Sequence, residues 1–106
     1  MFKKIKTPTP AQARKMSAGG LKRKTQAVVN DCIKSLNRYI EVAAEEGRCY
    51  TNTWFVNKSG YLTEEAFNRV TKHFQRLGYM VEVKINQPDD PAYNLLEFRI
   101  TLNWEE

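Results

Sequence analysis

At 106 residues, 42% of them hydrophobic, the chain has material for one modest core and no second domain. No apolar run approaches the roughly 18 residues of a membrane span. The basic start, Met1 to Lys6, leads into Pro8 and Pro10 rather than an apolar stretch. The chain is therefore expected to lack a signal peptide and to work in the cytoplasm, away from membranes.

The net charge of +5 is unevenly spread. Residues 1–24 hold Lys3, Lys4, Lys6, Arg14, Lys15, Lys22, Arg23 and Lys24 and no acid. The other 82 residues hold nine basic and twelve acidic side chains. A basic arm on a slightly acidic body implies an anionic partner.

Met1–Pro10 reads as an extended arm, with Thr9 as N-cap and Pro10 at the first helical position. The helix they open, Ala11 to Ala18, is expected to be short and to end at the hinge-like pair Gly19-Gly20. Residues 1–20 then form a partly flexible arm, and residues 21–106 a single domain. From Leu21 to about Glu46, the spacing of Val29, Cys32, Ile33, Leu36, Tyr39, Ile40, Ala43 and Ala44 puts them on one stripe of a helix. Gly47 is the expected stop.

Cys49–Val56 is a strand by composition. Tyr50, Asn52, Trp54 and Val56 share one face of it. A turn over 57–60 leads to a helix capped by Thr63, with Glu64 and Glu65 in its first turn and a stripe of Ala66, Phe67, Val70, Phe74 and Leu77. Gly78 ends that helix. Two strands with period-two alternation come next, Tyr79–Asn86 and Leu95–Trp104, joined by a loop around Pro88 and Pro91.

The expected fold is α+β in the order α-α-β-α-β-β. It is a three-stranded mixed sheet, strand order first-third-second, with two long helices on one face. The other face, with Glu82, Lys84, Glu97, Arg99, Thr101 and Asn103, is left open. Tyr50, Trp54, Met80 and Leu95 are expected to be partly exposed, which predicts a homo-oligomer, most simply a dimer.

The residues give little support for catalysis, so the chain reads as a binding protein rather than an enzyme. Cys32, Cys49 and the single histidine, His73, share no metal-ligand spacing, and no metal or other cofactor is expected. Both cysteines read as reduced thiols; a Cys32–Cys49 disulfide would be unusual in a reducing cytosol. The pairs Glu45-Glu46, Glu64-Glu65 and Asp89-Asp90 fall at helix ends and in a turn. There is no phosphate-binding loop, dinucleotide fingerprint or nucleophile elbow.

The candidate ligand-binding residues are thus the eight cations of residues 1–24, with Tyr50 and Trp54 as candidate aromatic contacts. Three readings remain open: a solubility tail, a nucleic-acid or nucleotide phosphate site, and a contact with an acidic protein surface. Against a base-stacking surface, the cations are expected in the arm and the aromatics in the body.

Three segments, Ala43-Ala44 to Gly47, Leu77-Gly78-Tyr79-Met80-Val81 and Ile100-Thr101-Leu102-Asn103-Trp104, carry a resemblance. Over about residues 27–104 the chain resembles small accessory proteins encoded by tailed bacteriophages. The resemblance implies work in the host cytoplasm, either inhibiting a host enzyme or defence complex or binding a signalling nucleotide. It carries over no functional residues.

Overall fold

The computed structural model describes residues 6–87 and 95–105. The chain runs α1 (Pro10–Glu45), β1 (Tyr50–Val56), α2 (Glu64–Arg76), β2 (Met80–Asn86) and β3 (Glu97–Asn103). The fold is α+β.

The two helices expected at the start are one. α1 continues through Gly19-Gly20 for 36 residues. Thr9 opens it with a reciprocal cap: Thr9 Oγ1 accepts from the Gln12 backbone at 3.2 Å, and Gln12 Oε1 accepts from the Thr9 backbone at 2.9 Å. Two internal glycines cost about 1 kcal/mol each relative to alanine. Strong helix formers stand on both sides, however, and neither glycine takes the positive φ that would end the helix. Gly47 (φ 79°) and Gly78 (φ 100°) do take it, just past α1 and α2.

The strand order is β1-β3-β2. β1 and β2 both pair antiparallel with β3, so the sheet is antiparallel throughout rather than mixed. The crossover through α2 does leave β1 and β2 running the same way. β3 returns between them, so they never share a ladder.

Alternation then decides what is buried. Phe98, Ile100 and Leu102 of β3 are fully covered, because α1 lies over the β1 side of the sheet and α2 over the β2 side. Val29, Cys32, Leu36, Ala66, Phe67, Val70 and Phe74 meet them. α2 is short, so Val81 and Val83 are only half-buried and Ile85 is exposed. Tyr39 and Leu77, expected on the apolar stripes, also face solvent. Trp104 is half-buried, its ring edge-on to Tyr79 at 6.0 Å.

α1 is longer than the body it packs on. Thirty-six residues span about 54 Å at the helical rise, and the molecule measures 70 × 33 × 22 Å. Its radius of gyration is 18.8 Å, against roughly 13 Å for a compact chain of about this length. Val28, Asp31, Cys32 and Ser35 stand beside Phe55–Ser59, at the far end of β1. Ala18, Leu21, Lys22 and Thr25 face the start of α2. Residues 10–18 are all exposed.

Candidate functional site

Six of the eight candidate cations, Lys6, Arg14, Lys15, Lys22, Arg23 and Lys24, lie among the described residues, and all are exposed. Lys3 and Lys4 lie outside them. Because α1 is continuous, Arg14 to Lys24 ride on one rod rather than on two pieces joined by a hinge. The cap at Thr9 holds the preceding segment against the helix, so Lys6 and Lys15 border one hollow of about 600 Å³ with Pro8, Gln12 and Met16.

Among the described residues, none of these cations is in an ion pair. The first turn of α1 has no acid, and the first acid in the sequence is Asp31. The one ion pair among the described residues is elsewhere, Arg48 to Glu46 at 2.8 Å. The positive end of the helix dipole adds to the cations instead of opposing them.

The cations do not form a single stripe. At about 100° per residue, Arg14, Lys15 and Lys22 fall within an arc of roughly 100°. That arc extends the apolar side that buries Val29, Cys32 and Leu36 further along α1. Arg14 and Lys15 lie on the part of it beyond the body, whereas Ala18 and Lys22 face the start of α2 beside Glu65. Arg23 and Lys24 project from other sides.

The two candidate aromatics lie on the sheet face that no helix covers, and they differ. Tyr50 has the Arg48 guanidinium over its ring, 5.9 Å from the centroid. Trp54 is 62% exposed, with no ring or cation stacked on it among the described residues. In the sheet register, Trp54 is opposite Arg99, and Arg99 is opposite Lys84. The three form a row across β1, β3 and β2. With Ile85, Asn86 and Glu97 they line an open hollow of about 380 Å³.

The expected separation of aromatics from basic residues therefore fails at one place. The alternation of β2 and β3 marks Arg99 and Lys84 as outward-facing, but their adjacency to Trp54 depends on the pairing of three distant strands. Met80 and Leu95 are exposed as well.

Comparison with family models, with curated proteins and with solved structures gives no match to this chain. The site must be read from its own chemistry.

No three His, Cys, Asp or Glu side chains come together to hold a metal among the described residues. His73 is half-buried with its ring edge-on to Phe74 at 5.0 Å. Cys32 is buried and Cys49 exposed, both free thiols. They cannot bridge: Cys32 sits about 20 Å along α1 from the helix end that Cys49 follows. No described helix is long and apolar enough to cross a membrane.

Proposed function

We propose that this chain is a non-enzymatic binding protein, of the accessory kind that tailed bacteriophages encode, and that it holds a nucleic-acid strand along the basic half of α1. The observation that carries the reading is the run Arg14 to Lys24. Five exposed cations, none of them ion-paired among the described residues, stand on one continuous helix whose N-terminal end projects past the folded body. A solubility tail has no need of a capped, continuous helix. A phosphodiester backbone, whose counterions are released when cations replace them, gains from such a rod. A signalling nucleotide is the smaller ligand of the same chemistry.

A second reading rests on a different observation. β1 is an edge strand, paired on one side to β3. An inhibitor of a host enzyme or defence complex would use that edge to add its strand to a partner's sheet.

Fluorescence anisotropy of labelled oligonucleotides at low salt tests the first reading. Saturable binding that weakens when Arg14, Lys15 and Lys22 are changed to Gln supports it. Absence of binding to DNA and RNA overturns it in favour of a protein partner.

A further inference from the structure

Resting on that reading, we propose that the open sheet face carries a subsite for one unstacked base of a single-stranded nucleic acid. Trp54 is the stacking platform, and Arg99 and Lys84 hold the adjoining phosphate.

The row supplies both halves of what a single-strand contact needs: an aromatic face open to a base and cations beside it for the backbone. Neighbouring partners in an antiparallel sheet stand about 5 Å apart, so Lys84 is about 10 Å from Trp54 with Arg99 between. Neither cation has an ion-pair partner among the described residues.

Two acids set the limits of the site. Glu82 lies in the row on one side, opposite Thr101. Glu97 lies in the row on the other side, where its carboxylate accepts from Asn86 Nδ2 at 3.5 Å. The face as a whole is neutral, and phosphate is favoured only along the middle row. One nucleotide, not a long track, is what this face accepts.

The rest of the strand has somewhere to go. Trp54 is two residues from the end of β1 toward which the overhanging part of α1 projects. A strand leaving Trp54 past Val56 reaches the end of the molecule where Arg14, Lys15 and Lys22 stand.

A second copy of the chain fits the face less well. Three strands of seven residues at about 4.8 Å spacing and 3.3 Å rise give a footprint of roughly 300 Å². A stable interface needs about 800 Å² per partner.

The experiment uses the full chain carrying Trp104→Phe, which leaves Trp54 as the sole tryptophan. Its emission is titrated with an unlabelled single strand of about twelve nucleotides, DNA in one arm and RNA in the other. The same sequence as a duplex, and a mononucleotide, are run alongside. Anisotropy of labelled strand is followed in parallel for Trp54→Leu, Arg99→Gln/Lys84→Gln and the α1 triple variant Arg14→Gln/Lys15→Gln/Lys22→Gln. Circular dichroism verifies that each is folded.

The expected result is saturable quenching by single strand and not by duplex, with Trp54→Leu weakening binding roughly 5- to 150-fold. Strand binding that leaves Trp54 emission and the Trp54→Leu affinity unchanged overturns the subsite while the α1 reading stands. If the α1 triple variant binds as the parent does and Trp54→Leu does not, the α1 reading falls and the subsite stands. Quenching by mononucleotide alone overturns the strand. So does a concentration-dependent dimer that Trp54→Leu dissociates, because the occupant is then a second copy.

Discussion

The rings of Phe67 and Phe98 lie nearly parallel, 12° apart with centroids at 4.5 Å, and tie α2 to the central strand. Both are fully buried, and Phe55 leans on the same Phe67 ring at 6.0 Å. Removing either ring leaves a cavity that a short helix over a three-stranded sheet cannot close. Phe67→Ala and Phe98→Ala are each expected to cost about 3–5 kcal/mol. Against a total of roughly 5–15 kcal/mol, this is enough to leave a marginal protein. Urea unfolding checks this; a loss below about 1 kcal/mol would mean that the stack does not hold the core together.

Gly19 and Gly20 are internal helical positions where a methyl group meets no obstacle. A Cβ at Gly19 would approach Arg23 Nη1 at 3.6 Å, an ordinary contact, and one at Gly20 would meet nothing within 4 Å. Alanine at either position is expected to strengthen the overhang by about 0.5–1 kcal/mol. Slower amide exchange over residues 12–24 is the readout. Faster exchange would show that the pair serves a bend instead.

Most elements of this fold are legible locally. Thr9 and Thr63 cap, Gly47 and Gly78 stop, and alternation picks the buried face of each strand. The continuity of α1 is not legible in that way, because a glycine pair ends a helix only when the residues after it also leave the helical conformation, and Leu21 to Lys24 do not. The antiparallel sheet, by contrast, follows from the expected strand order: with the last strand between the two strands of the crossover, both ladders are antiparallel, and mixed describes only the directions of strands that never pair. The row Trp54–Arg99–Lys84 escapes most completely. Each residue announces only its face, and what brings the three together is strand register across 45 residues of sequence.

Cys32 and Cys49 should separate sharply by reactivity. Burial, and secondarily the nearby Asp31 carboxylate, push the Cys32 thiol up to about 11. Thiolate is the reacting form, so alkylation near pH 8 should modify exposed Cys49 and spare Cys32. Because the folded chain holds this proton more tightly than the unfolded one, the contribution is complete below pH 9.0 and is lost as pH rises through about 11. Stability measured against pH should fall more steeply across that window in the parent than in Cys32→Ala. Equal slopes would mean that the thiol is not desolvated.

The central claim is that the basic half of α1 holds a nucleic-acid backbone, and the most direct measurement is the salt dependence of single-strand affinity. Engagement of Lys6, Arg14, Lys15 and Lys22 on the α1 side, with Arg99 and Lys84 on the sheet, predicts a slope of log K against log salt near −4. Changing Arg14, Lys15 and Lys22 to Gln should make that slope shallower by about 2. A slope that the triple variant leaves unchanged would contradict the claim.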